Sequence, residues 1–280
     1  LHSGTGIQEQ LTWLTADVAD SDVVLPINDG TQFSLGITEV DQELIYVSTV
    51  GTDNLGLPPF GRGFRGTTAT PHSANAMVTF SPAWPQFLIR QAINQVLVSI
   101  YPTLYAVKST SFSSDTVTAA YAMPSDADGV MTVTYDANLP SKYWPRLDDF
   151  EFDSNANNVA FASGKSITFG RVPMSGSLIN VTYRAPFVPF VADSDTLTDV
   201  GLPESCADLL VLGAGAKLIR LTEPARIQVM SVQNQARAAV VQVGDAEKIG
   251  NDWFALFNQR LQQERMKQLE LQPAQMRFSR

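Results

Sequence analysis

The chain has 280 residues, 44% of them hydrophobic and 17% charged, with a formal net charge of −9. That length accommodates two or three domains with their own cores, and the acidic balance argues against a sequence-independent duplex binder, which needs a basic face to displace counterions. A single cysteine, Cys206, excludes an intrachain disulfide and reads as a small buried apolar residue. The charge is uneven: −7 over residues 1–80, where no Lys or Arg precedes Arg62, −4 over 81–200 and +2 over 201–280. No apolar run nears the roughly 18 residues that would span a bilayer, and nothing at the N-terminus resembles a signal peptide.

Residues 1–10 are polar and read as a flexible arm. Over 11–81, Leu35, Ile37, Leu44, Tyr46 and Val50 sit among Thr, Ser and Val, with turn signals at Asn28-Asp29-Gly30, Gly51 and Pro58-Pro59. This predicts short strands in a small β-barrel or a sandwich-like pair of sheets. Next, Pro82 and Pro85 fit just outside and within a first helical turn. Ile89, Ile93, Val96, Leu97 and Ile100 then make the stripe of an amphipathic helix over 82–101, which Pro102 stops.

Strand chemistry returns over 103–190. Segments 117–121, 130–135 (after Asp128-Gly129), 159–161, 167–169 and 178–183 alternate apolar and polar residues between Ser, Asn, Gly and Pro, which predicts an inserted β-sandwich. Pro203 and Glu204 open a second helix, near 205–222, carrying Leu209, Leu210, Leu212, Leu218, Ile219 and Leu221. Gly213 and Gly215 inside it cost about 1 kcal/mol each and leave room for another helix to approach; Pro224 is expected to end or kink it. Residues 226–243 read equally as helix or as an extended arm. From Ala246 to Leu271 a third helix carries Ile249, Trp253, Leu256, Phe257 and Leu261 as one stripe. It outruns that stripe, so its far end is expected to project, and Pro273 releases a tail, Pro-Ala-Gln-Met-Arg-Phe-Ser-Arg. The expected fold is thus α+β and multidomain: arm 1–10, small β domain 11–81, helical core 82–102 with 191–272, inserted sandwich 103–190, and extended C-terminal arm 273–280.

Little in the chain suggests catalysis. Gly61-Arg62-Gly63-Phe64-Arg65-Gly66 matches G-x-G-x-x-G, but Pro58-Pro59 precede it and Thr67-Thr68-Ala69-Thr70-Pro71 follow, where a dinucleotide site needs a strand and then a helix. It reads as a tight turn with residues at positive φ. His72 has no second His or Cys placed to share a metal and reads as a structural histidine hydrogen-bonded within a turn. Asp149, Glu151 and Asp153 would share one strand face, a solvated acidic strand or a calcium ligand set lacking the EF-hand glycine. Tyr143 and Trp144 make a half-buried cluster or a stacking platform for a sugar. No short catalytic motif appears, and no catalytic, cofactor or metal residue is expected. At the C-terminal end, Arg260, Arg265, Lys267, Arg277 and Arg280 face Glu264 and Glu270. They read either as a solvated helix end or, with Met276 and Phe278 as apolar anchors, as an arm docking on an acidic partner.

Two resemblances follow from particular residues. Glu43-Leu44-Ile45-Tyr46-Val47, then Gly61 to Gly66 with Thr67, His72, Ser73 and Ala74, resembles a pattern of tailed-phage virion proteins: an E-x-x-x-V strand, R-G-x-x-G-T, and an A-x-x-H loop leading to a last strand holding Val78 and Phe80. Pro71 departs from the usual small residue. The order and character of the three helices, with segments such as 218–226 and 256–265, is similar to head-to-tail connector (adaptor) proteins of long-tailed phages, actinophage neck proteins in particular. The resemblance implies a structural virion protein made in the host cytoplasm and placed at the neck. It implies a homo-oligomeric ring, usually of twelve copies, with portal and tail-side stopper or terminator proteins as neighbours and DNA passing through its channel unread. Arg265, Lys267, Met276, Arg277, Phe278 and Arg280 would then be portal-binding residues of the C-terminal arm, with no cofactor and no membrane involved. Tail terminator, baseplate or decoration protein are alternative positions, and a carbohydrate-binding protein using Trp144 is an alternative of another class.

Overall fold

Short alternating segments make the first seven strands: β1 (Gln10–Trp13), β2 (Val24–Pro26), β3 (Gly36–Val40), β4 (Glu43–Val47), β5 (Thr49–Val50), β6 (Asn54–Gly56) and β7 (Met77–Phe80). The structure, a computed structural model, describes residues 10–230 and 245–272 apart from Ala83, Thr116, 138–142 and Val172; for 221–230 and 245 it describes the backbone alone. The arm expected at 1–10 therefore lies outside the described residues except for Gln10. The chain divides into two units, Leu1–Ala92 and Ile93–Arg280.

In the first unit the strands form two antiparallel sheets, β1-β7-β3-β4 and β2-β6-β5. Period-2 alternation puts Val40 opposite Val78 and Thr38 opposite Ile45 on the inner face. Leu14, Leu25, Ile27, Val40, Ile45, Val47, Leu55 and Val78 are buried together there. The pair of sheets is observed and the closed barrel is not: strands of two to five residues, interrupted at Gly51 and Pro58-Pro59, are too short to wrap around and join edges. Helix α1 (Gln86–Ile100) follows. Pro82 and Pro85 both lie ahead of it, and the Pro85 carbonyl accepts the Ile89 N–H at 3.1 Å. Its first turn is capped from a strand: Glu39 of β3 accepts the N–H groups of Gln86 at 2.6 Å and Phe87 at 3.4 Å. That satisfies donors a helix start leaves orphaned and places negative charge at the positive end of the dipole.

The second unit holds β8 (Ala106–Ser113), β9 (Ala120–Ala122), β10 (Gly129–Tyr135), β11 (Phe150–Asp153), β12 (Ser166–Phe169) and β13 (Leu178–Ala185). They form sheets β10-β13-β8 and β11-β12-β9. Val133, Ile179 and Val181 of one meet Ile167 and Phe169 of the other in a shared core. Phe112 of β8 stacks on Tyr121 of β9 at 4.4 Å between ring centroids, joining the sheets. Two expected strands change. Residues 159–161 form a turn, because the Asn157 side chain takes the Val159 N–H at 2.9 Å, and Val159 is 96% exposed. Residues 117–119 stay outside β9, because Asp115 accepts the Val117 N–H at 3.0 Å.

A single 3₁₀ turn at Glu204–Cys206 leads into α2 (Ala207–Met230), and α3 (Asp245–Leu271) packs along it. The helix runs on through Pro224 to Met230, so the expected end there does not occur, and the ring's missing N–H removes one bond from a turn that persists. Residues 226–230 of the ambiguous stretch are helix, and 231–243 lie outside the described residues. At Gly213 three helices converge: an added Cβ would lie 2.9 Å from both Val96 methyls of α1 and 3.0 Å from Phe257 of α3. A Cβ at Gly215 would collide with the Trp253 ring. Among the described residues no helix is long and apolar enough to cross a membrane.

Candidate functional site

The basic end of α3 is where the sequence placed a docking arm. Its buried face runs through Ala246, Gly250, Phe257, Leu261 and Glu264, spaced by three, four or seven, with Trp253 and Gln268 partly covered. Ile249 and Leu256, expected in the same stripe, are 48% and 51% exposed, because they lie about 90° round the helix from that seam. The seam continues past the last apolar residue through polar contacts. Arg260 donates to Asp208 at 2.6 Å and to the Ser205 carbonyl at 2.8 Å, and it pairs with Glu264. Lys267 donates to Glu264 at 2.6 Å. Gln268 donates to the Tyr105 carbonyl at 2.7 Å and accepts its N–H at 3.4 Å. The helix is therefore docked as far as Gln268 instead of projecting beyond Leu261: hydrogen bonds replace apolar burial over its last turns. Burial acts to raise the Glu264 carboxyl, but the Lys267 ammonium and the Arg260 guanidinium outweigh it and hold it below the usual range. Of the predicted arm residues, Lys267 is exposed and pairs with Glu264 of its own helix, Arg265 is exposed, and Met276, Arg277, Phe278 and Arg280 lie outside the described residues.

The most concentrated chemistry lies in the first unit, around a carboxylate that the sequence reading had not singled out as a site. Strand β4 presents Glu43, Ile45 and Val47 to the core, so alternation puts the Glu43 carboxylate inside. Its side chain is 0% exposed. It accepts five hydrogen bonds: from Arg62 Nε at 2.8 Å and Nη2 at 2.9 Å, from the N–H of Gly63 at 2.8 Å and Thr70 at 3.0 Å, and from His72 Nε2 at 2.9 Å. Arg62 also donates to the carbonyls of Ala19, Asp22 and Thr70. His72 Nδ1 faces Asp41 Oδ2 at 2.7 Å. Burial raises the Glu43 carboxyl, yet His72, Arg62 and the two backbone donors bring it down to about 2.

The glycine-rich turn makes this geometry possible. Gly63, Arg65 and Gly66 have φ of 58°, 54° and 85°, as the sequence predicted, and fold the chain into a 3₁₀ turn at Phe64–Gly66. Tyr46 packs against Phe64 at 5.3 Å and Phe60 at 6.1 Å, pinning the turn to β4. The turn thus donates the Gly63 N–H to the protein's own Glu43 carboxylate. The His72 ring takes its partners from β4 and the β3–β4 turn, Glu43 and Asp41, and not from within its own turn as expected. The signal that could have found the cluster is a glutamate in phase with Ile45 and Val47 in a segment holding only two basic residues.

The remaining candidates are dispersed. Glu151 and Asp153 lie exposed on β11 with Asp149 just before it, and among the described residues no group of three or more His, Cys, Asp or Glu could hold a metal ion. Tyr143 and Trp144 are 60% and 37% exposed. Cys206 is buried and its thiol is pushed up to about 11, mainly by burial and then by the Glu264 charge.

No curated protein matches the chain. The profile of the SU10 adaptor protein family matches residues 68–277. That span takes in β7, α1, both sheets of the second unit, α2 and α3, well over half of the chain, and agrees with the resemblance that the helices carry. The chain belongs to the SU10 adaptor protein family, a structural family of phage adaptor proteins.

Proposed function

We propose that this adaptor protein is a piece of the virion neck that joins the portal to the tail as a ring, with twelve copies the expected number. The observation that carries the reading is the family match over 68–277, which includes α1, α2 and α3. In this reading the protein acts by geometry. The domains expected from the sequence keep their roles: the helical core (82–102 with 191–272) builds the ring wall, the β domains at 11–81 and 103–190 face outward or toward stopper or terminator proteins, and the C-terminal arm couples the ring to the portal. Arg265, Lys267, Met276, Arg277, Phe278 and Arg280 are the proposed portal contacts. The seam up to Gln268 supports this division of labour, because it gives the 273–280 tail a fixed starting point. A chain without a net basic charge suits a channel through which DNA slides without sticking.

Deleting 273–280 is expected to leave a folded protein and to yield heads without tails, scored by electron microscopy of the particles. Normal joining after that deletion overturns the role of the arm. Imaging of the neck without imposed symmetry tests the position separately: a ring of this chain between portal and tail supports it, and the chain found in the baseplate or on the capsid refutes it.

A further inference from the structure

Both ring nitrogens of His72 face carboxylate oxygens, Nδ1 toward Asp41 at 2.7 Å and Nε2 toward Glu43 at 2.9 Å. A carboxylate only accepts, and a neutral imidazole carries a single N–H. With both carboxyls ionised, two such bonds at once therefore require the imidazolium. Glu43 is not the protonated partner, since its two oxygens already take two N–H groups of Arg62 and the N–H groups of Gly63 and Thr70. The charged groups packed around the ring are Asp41 from the β3–β4 turn, Glu43 from β4, Arg62 from the 57–66 loop, and Asp17, which accepts the Ala74 N–H. Across the four-membered cluster of Asp41, Glu43, Arg62 and His72, two carboxylates meet two cations only while His72 is charged.

The two carboxylates are not equivalent. The Glu43 side chain is 0% exposed and that of Asp41 is 55% exposed. Asp41 also sits at φ 52°, a left-handed conformation that a residue with a Cβ adopts at a cost. When the ring loses a proton, one carboxylate loses its donor. Water can replace it at Asp41 and cannot reach Glu43, so the remaining N–H stays on Nε2. We infer that His72 is a proton-controlled latch on the β3–β4 turn: charged, it ties Asp41 to the buried Glu43–Arg62 pair, and neutral, it keeps Glu43 and releases Asp41. Burial opposes the charge, but the bonds to Glu43 and Asp41 outweigh it and keep the ring protonated above the ordinary histidine range. The latch is independent of the position of the protein in the particle.

The test is nitrogen NMR of the full chain labelled on histidine, followed with pH together with backbone amides. There are two histidines, and replacing His2 by Gln assigns them. At about pH 6 both His72 ring nitrogens are expected as protonated, with a midpoint above that of an ordinary histidine. The amides of Asp41 and Gln42 are expected to shift with that midpoint while those of Gly63 and Thr70 hold. Asp41→Asn, which the left-handed φ tolerates well, is expected to move the midpoint to lower pH without disturbing Gly63 or Thr70. A single neutral tautomer at about pH 6 overturns the latch, as do Asp41 and Gln42 amides that ignore the His72 midpoint, Gly63 and Thr70 amides that move in their place, or an Asp41→Asn midpoint equal to that of the unaltered protein.

Discussion

Replacing Glu43 by Gln keeps the shape of the side chain and removes its charge, which leaves two cations without their shared anion. Arg62 and His72 have side chains only 8% and 1% exposed, so neither recovers its loss from water. One oxygen of the pair becomes an N–H2 group that points donors at donors. Removing one partner of a buried pair costs about 3–5 kcal/mol, and for a unit the size of Leu1–Ala92 each kcal/mol lowers the midpoint by about 4–8 °C. The midpoint of this unit is therefore expected to fall by at least ~12 °C. Because a chain of two units need not unfold in one step, a single melting curve is the wrong assay. Hydrogen exchange read by mass spectrometry separates them: opening free energies in β3, β4 and β7 are expected to drop by about 3 kcal/mol or more, with β13 of the second unit unchanged. A variant with Met at both 43 and 62 is expected to lose less than Glu43→Gln alone, since it strands no arginine. Protection in β3 and β4 within about 1 kcal/mol of the unaltered protein would show that the cluster is decorative and refute this reasoning.

The first unit is expected to have a pH window. His72, raised in the folded state, contributes stability that is complete below its unfolded value of 6.5 and is lost as pH rises through its folded value. Glu43, depressed from 4.5 to about 2, contributes above 4.5 and loses that contribution as pH falls through about 2. Exchange protection of β4 should therefore be greatest between about 4.5 and 6.5 and decline as pH rises on through the His72 midpoint, and a flat profile across both edges would contradict it. Gly215→Ala forces the Trp253 ring aside and should cost the second unit about 1–3 kcal/mol, visible as a lower melting midpoint of the β13 and α3 probes; an unchanged midpoint means the helices part freely. Cys206, buried with its thiol pushed up to about 11, should resist aromatic disulfide reagents in the native protein and react only on unfolding; rapid native labelling would place it at the surface.

Alternation and helical periodicity were enough to locate α1, α2, α3, β10, β12 and β13, because each carries apolar residues on a regular face. They failed where polar side chains decide the backbone. Residues 159–161 look like a strand by composition, yet the Asn157 side chain takes the Val159 N–H and closes a turn. Strand β8 went unseen because its inner face is Ala106, Lys108, Thr110 and Phe112, with Lys108 spent on Asp126 at 2.8 Å. The docked length of α3 was underestimated for the same reason: Glu264 and Gln268 extend the seam with hydrogen bonds that an apolar stripe does not reveal. The cluster at Glu43 was half legible. Its glycines and His72 stood out locally, but that Arg62 and His72 converge on one carboxylate depends on the register of β4, which no local pattern states.

The edge of the family match also has a physical meaning. It begins at residue 68, inside the loop that Glu43 holds through Thr70 and His72. The first strand within the match, β7, pairs with β1 and β3 on either side, both of which precede it. The first helix within the match, α1, has its opening N–H groups capped by Glu39 of β3. A fragment starting at residue 68 would leave β7 with both edges bare, the α1 start uncapped and the apolar face at Val78 exposed. Such a fragment should therefore be poorly soluble and should lack protection over 77–92, whereas the chain that includes β1 to β6 protects that stretch. The residues before the match thus complete the sheet and the cap that its first strand and helix require.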